Sequence, residues 1–169
     1  MGVQLREATR ADVPAILRII KQLATYEREP DAVVNTEDAL AGHLFRDNPA
    51  IFCTVAEVDG RVIGIALWFL TYSTWEGTHG IWLEDLYVDE EYRGQGIGKA
   101  LLTGLCAIAE ERGYARMEWT VLDWNTPSIE FYHSLGARPL DGWTTQRMER
   151  EEIATQAAWF RGSFGEATG

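Results

Sequence analysis

Apolar positions along this chain change period several times, and each change marks an element. Val13, Ile16, Leu17, Ile20, Leu23 and Ala24 recur at helical spacing, which predicts a helix ending near 26–29, ahead of Pro30. Thr9-Arg10-Ala11-Asp12 in front of it has the form of a capping box with Asp in the acidic position. A short strand over 4–7 precedes that helix, and a second helix over 36–45 follows it. Residues 51–58 and 61–72 are rich in β-formers and meet at Asp59-Gly60, a two-residue hairpin signal. Further strand patterns cover 81–88 and 116–122, and 139–148 should hold the last strand or strand pair. Helical patterns cover 100–112, stopped by Gly113, then 126–135, with Pro127 in its first turn and Gly136 after it, and 149–160. The order β-α-α-β-β-β-α-β-α-β predicts an α/β protein of α+β mixed-sheet type.

Composition adjusts this picture only slightly. A chain of 169 residues suits one domain, placed over 1–160 with 161–169 as a flexible C-terminal tail. The longest apolar run, 62–70 with Gly64 inside it, is too short to span a membrane, and no signal-like segment opens the chain. Cys53 and Cys106 lie far apart, and the three histidines show no ligand spacing. No metal is therefore expected, and both cysteines read as reduced core residues of a cytoplasmic protein. Twenty-six acidic against fifteen basic residues give a formal charge of −11. That field repels nucleic acid and attracts small cations, although acidity serving solubility alone explains it equally well.

The densest chemical signal is Tyr92-Arg93-Gly94-Gln95-Gly96-Ile97-Gly98-Lys99-Ala100-Leu101-Leu102, directly after the strand pattern at 81–88. Glycines in a strand-to-helix turn let backbone N–H groups close on a ligand, and the helix that follows adds its positive end. A P-loop is excluded because Arg93 stands where its first Gly belongs and Ala100 where Ser or Thr belongs. A dinucleotide fingerprint is excluded because Lys99 occupies its third small position. What remains resembles the acetyl-CoA pyrophosphate loop of the GNAT N-acetyltransferases. Four further segments, Tyr72-Ser73-Thr74-Trp75-Glu76-Gly77, Trp82-Leu83-Glu84-Asp85-Leu86-Tyr87-Val88, residues 123–132 and Asp141-Gly142-Trp143, are similar to the diamine (spermidine/spermine) acetyltransferases and their thialysine-preferring relatives.

The resemblance implies the GNAT acyl-CoA N-acyltransferase fold, acetyl-CoA as acetyl donor, and a small cationic amine as acceptor. A primary amine with a pKa of about 10.4 holds its proton at pH 7, and exposing the lone pair costs roughly 4.6 kcal/mol. A base must therefore take that proton, and the departing thiolate gains from a nearby acid. The resemblance assigns the base to Glu84 and the acid to Tyr132. An apolar strand should desolvate Glu84 and raise its pKa. Regular alternation puts Glu84 and Asp85 on opposite faces unless a bulge intervenes. The competing readings are a structurally paired acid for Glu84 and a half-buried core ring for Tyr132.

For the cofactor, the resemblance implies backbone N–H groups of Arg93, Gly94, Gln95, Gly96, Ile97, Gly98 and Lys99 on the pyrophosphate. It adds strand backbone of Leu86, Tyr87 and Val88 along the pantetheine arm, with Asn125 and Ser128 facing the cofactor. Glu27, Asp85 and Asp141, with the aromatics Tyr26, Trp75 and Trp143, match positions around the amine. Separated acids and indole faces suit a substrate with separated ammonium groups. The family implies a homodimer whose site draws on both subunits. The leading expectation is acetyl transfer by direct attack in a ternary complex. A protein or peptide N-acetyltransferase and a non-catalytic CoA-binding regulatory subunit are the alternatives.

Overall fold

The computed structural model describes residues 2–164. Its contacts divide at Asn125 into two compact units, Met1–Asn125 and Thr126–Gly169.

In the first unit, β1 (Gln4–Glu7), β2 (Ile51–Val58), β3 (Arg61–Ser73), β4 (Thr78–Val88) and β5 (Met117–Glu118) form one sheet in the order β1-β2-β3-β4-β5. The first three pairings are antiparallel and β4–β5 is parallel, so the sheet is mixed as predicted. Asp59 and Gly60 make the β2–β3 hairpin with φ of 50° and 79°, the two positive values that a type I′ turn demands.

α1 (Val13–Tyr26) and α2 (Glu37–Leu44) cover one face of the sheet. Ile16, Ile19, Leu40 and Leu44 pack there with Cys53, Val55, Ile65 and Leu67. α3 (Ile97–Glu111) brings the buried Leu101 and Leu105 to the other face. The capping-box carboxylate is in place, since Asp12 Oδ2 accepts from the Thr9 N–H at 2.7 Å and its hydroxyl at 2.8 Å. Arg6 donates to Asp12 and to Glu57, tying β1 to β2 and to the start of α1. Those bonds from Arg6 hold the Asp12 carboxyl down to about 2.

The second unit carries α4 (Thr126–Ser134) and α5 (Arg150–Phe164). The strand expected over 139–148 is not formed. A strand exists only through a ladder, and this stretch, exposed throughout, pairs with no strand among the described residues. The strand expected over 116–122 shrinks to Met117–Glu118 for the same reason, because β4 offers it only two pairing positions. α5 runs through Gly162 to Phe164, past the expected end at 160, and residues 165–169 of the expected tail lie outside the described residues. One cysteine also departs from expectation. Cys53 is buried, whereas Cys106 is exposed on the outer side of α3.

Candidate active site

The site begins with a register irregularity. Leu67 pairs with Asp85 and the next residue, Trp68, pairs with Leu83, so Glu84 is the extra residue of a β-bulge in β4. Directly paired residues share a face. Asp85 therefore lies on the side of Leu67, a member of the core under α1 and α2. Trp82 pairs with Phe69, two residues beyond Leu67, and joins the same side. Its ring stacks on Phe69 at 6.3 Å between centroids, and its indole Nε1 donates to Glu84 Oε2 at 2.8 Å. The bulge thus lifts the restriction of strand alternation and lets both carboxylates serve the α1 side.

The two acids differ in environment. Glu84 is exposed and Asp85 is half-buried. The expected desolvation of Glu84 is corrected here, because the bulge carries it out to water and leaves the burial to its neighbour. Burial first, then the charges of Glu84 and Glu27, push the Asp85 carboxyl up to about 7. Glu27, which caps the C-terminus of α1, is half-buried, and burial raises its pKa too.

Beside these acids, Tyr26 ends α1 and donates its hydroxyl to Asn125 Oδ1 at 3.0 Å. Its ring meets Tyr87 edge-on at 6.5 Å and Trp124 at 5.9 Å. The Arg93 guanidinium lies over Tyr26 at 5.2 Å and over Tyr87 at 4.8 Å, and its Nε donates to the Val88 carbonyl at 3.1 Å. Arg28 stacks on Trp124 at 4.2 Å. Asn125 is buried, with its backbone N–H on the Leu122 carbonyl at 2.8 Å.

β4 is paired on both sides only along its first part. β5 reaches Ile81 and Trp82, while β3 continues opposite Leu86, Tyr87 and Val88. Beyond Trp82 the outer edge of β4 has no strand beside it among the described residues, so an extended ligand finds backbone donors and acceptors there. After a turn over Glu90–Tyr92, the chain passes Gly94 at φ 75° and Gly96 at φ 80° into α3. Gly96 is the N-cap, and the left-handed backbone it adopts is strained for any residue with a Cβ. The first N–H groups of α3, those of Ile97, Gly98 and Lys99, have no acceptor within the helix. A Cβ added at Gly94 or Gly96 would meet nothing within 4 Å, so the loop faces open space. This donor set, the helix dipole and the nearby Arg93 fit a pyrophosphate.

The first unit therefore brings Tyr26, Glu27, Glu84, Asp85, Tyr87, Arg93 and Asn125 into one region. Trp75 is not part of it. Trp75 sits in the β3–β4 turn, 86% exposed, and the strand from Thr78 to Asp85 puts roughly 20 Å between them. In the second unit, Ser128 and Tyr132 are half-buried on α4, and Asp141 and Trp143 are exposed between α4 and α5. The Tyr132 carbonyl accepts the N–H groups of Leu135 and Ala137, which closes α4. Trp82, Trp124 and Arg28 escaped the sequence reading. They are linked to the site by side-chain contacts that no periodic pattern encodes. Among the described residues, no helix is long and apolar enough to cross a membrane, and no group of three His, Cys, Asp or Glu side chains is placed to hold a metal.

Comparison with known proteins shows the family. The model of the acetyltransferase (GNAT) family matches residues 13–137. Thialysine N-epsilon-acetyltransferase of Sus scrofa is 40% identical over 163 residues, covering 90% of this chain and 95% of that protein. Spermidine/spermine N(1)-acetyltransferase-like protein 1 of Homo sapiens is 38% identical over 91% of this chain, which corresponds to 24% of its own length. Among solved structures, an integron cassette protein of V. cholerae superposes with a TM-score of 0.78 at 24% identity, covering 93% of this chain and 98% of its own, and speaks to the fold.

Proposed function

The chain belongs to the GNAT acetyltransferase family, whose members use acetyl-CoA as donor, and from that premise we propose that it acetylates the primary amine of a small cationic substrate of the diamine, polyamine or thialysine kind. The bulge at Glu84 carries this reading. It turns Glu84 and Asp85 toward the side where Glu27 stands, and three carboxylates grouped there attract an acceptor with more than one ammonium group. The relatives named for thialysine and for spermidine/spermine support the same class of acceptor.

In this proposal Asp85 and Glu27 hold the ammonium ends, with the Tyr26 and Trp124 rings beside them. Glu84, exposed and held by Trp82 Nε1, takes the proton from the amine, directly or through water. The amine then attacks the thioester in a ternary complex, with no covalent acetyl-enzyme. Tyr132 gives a proton to the departing thiolate. The loop over 93–99 and Ser128 hold the cofactor with Leu86–Val88, while Asn125, bonded to Tyr26, joins cofactor side to amine side.

A homodimer belongs to the same proposal. Leu140, Trp143, Met148, Trp159 and Phe164 are all more than half exposed in the second unit, large apolar side chains of the kind that partners cover. Trp75 then reaches an amine site only if the partner subunit supplies it. Light scattering should return a mass near twice 19.0 kDa, and a monomeric mass would remove the dimer. The unpaired Cys53 and Cys106 support a cytoplasmic location.

The functional test follows CoA thiol release from acetyl-CoA with spermidine, spermine, putrescine, thialysine and lysine, and with a short lysine peptide as contrast. Turnover on one or more small amines, exceeding that on the peptide, is the expected result. Turnover on the peptide alone would move the substrate to proteins, and binding without turnover would leave a CoA-binding subunit.

A further inference from the structure

β4 hands over to the glycine loop through Asp89, an acid with only 2% of its surface exposed. A buried carboxylate needs charged or hydrogen-bonded partners, and Asp89 draws them from two other elements. Arg18 of α1 donates through Nη1 to Oδ1 at 3.0 Å and Oδ2 at 3.2 Å. Arg61, at the start of β3, donates to Oδ2 at 3.3 Å and reaches Glu91 at 3.1 Å. Arg18 also binds the Val62 carbonyl at 2.9 Å and Gln22 Oε1 at 2.7 Å. The backbone of Asp89 takes part as well. Its N–H donates to the Ile63 carbonyl at 2.8 Å, and its carbonyl accepts the Tyr92 N–H at 2.9 Å, opening the turn that leads to Arg93.

Past Arg93, which is anchored on the Val88 carbonyl and on the Tyr26 and Tyr87 rings, the loop has little to hold it in shape. Cβ atoms at Gly94 and Gly96 would touch nothing, and Gln95 is exposed. Order therefore reaches the loop from its two ends, Asp89 and Arg93 on one side and the buried Ile97 on the other. Fixing a backbone residue costs conformational entropy, so a loop already ordered binds its ligand more tightly than one ordered by the ligand. We infer that Asp89, with Arg18 and Arg61, is a positioning residue for acetyl-CoA, fixing the entry to the loop so that its N–H groups converge before the pyrophosphate arrives. This inference rests on the loop being the pyrophosphate site.

Calorimetry with coenzyme A tests it. Asp89→Asn should raise the Kd about tenfold and Arg61→Gln about threefold, with kcat at saturating acetyl-CoA changed by less than about twofold. The rise in melting temperature produced by coenzyme A should shrink in both variants. Wild-type Kd in both, with a lower melting temperature, would make the network purely structural and overturn the inference. If Asp89→Asn does not fold, Arg61→Gln decides alone, since that side chain is more than half exposed. Gly96→Asp separates the premise from the inference. Undiminished coenzyme A binding in that variant removes the loop as the pyrophosphate site and overturns the inference with it.

Discussion

The two ends of β4 are built on opposite principles. At Ile81 and Trp82 the strand is paired on both sides, and just ahead of them it is packed so closely that Gly80 has no room for a methyl group. A Cβ there would stand 2.8 Å from both the Arg116 carbonyl and Thr71 Oγ1. From Glu84 to Val88 the strand is bulged, paired on one side, and lined by half-buried acids and aromatics. The eleven residues of one strand thus pass from a place where backbone is satisfied by neighbours to one where it is left for a ligand. The comparison teaches that strand pairing stops where the proposed chemistry begins.

Glu84 offers the sharpest way to break that contrast. Glu84→Gln should lower kcat about 10²–10³-fold with acetyl-CoA affinity kept, read from CoA release and calorimetry. A wild-type kcat would take the base role away from Glu84. Deleting Glu84 separates fold from chemistry, since Leu83 and Asp85 already pair with the adjacent Trp68 and Leu67. The shortened chain should fold with a regular ladder and an unaltered circular dichroism spectrum, yet turn over no amine.

At the packed end the expected effect is on stability. Gly80→Ala should cost about 1–3 kcal/mol in chemical denaturation, while kcat per folded molecule is retained. A loss of kcat at unchanged stability would erase the distinction between the two ends.

Asp85 gives a smaller, pH-dependent effect. Its carboxyl sits at about 7 in the folded chain against an ordinary value of 3.8, so the folded state binds its proton more tightly. This residue therefore favours folding most below about pH 4, and that contribution is lost as pH rises through about 7. Asp85→Asn should flatten the wild-type decline over this window by on the order of 1 kcal/mol, and raise KM for the amine. Denaturation midpoints from pH 4 to 8 that run parallel in both proteins would contradict the assignment.

The smallest change is expected at Trp82. Trp82→Phe keeps a ring against Phe69 but removes the donor to Glu84, and kcat should fall about two- to threefold through lost orientation. An unchanged kcat would free Glu84 from that constraint.

Local rules carried much of the fold. Helical spacing from Val13 to Ala24 and the Asp59-Gly60 turn act over a few residues, and α1 and the β2–β3 hairpin stand where they were expected. The strand over 139–148 failed because residue type gives a chain the capacity to pair, whereas pairing needs a second backbone. The site divides in the same manner. The glycine loop is visible as composition, but the ring stack of Arg93 on Tyr26 and Tyr87 joins positions far apart in the chain.

The sequence by itself determined the mixed-sheet class, the strand-loop-helix that fits a pyrophosphate, and the family, because each is written in short runs of residue types. Only the tertiary structure decided which acid is buried, that Glu84 stands on a bulge, and that Asp89 ties α1, β3 and the loop entry together. Register, burial and long-range ion pairs are properties of two or more segments at once, so no single stretch of the chain contains them.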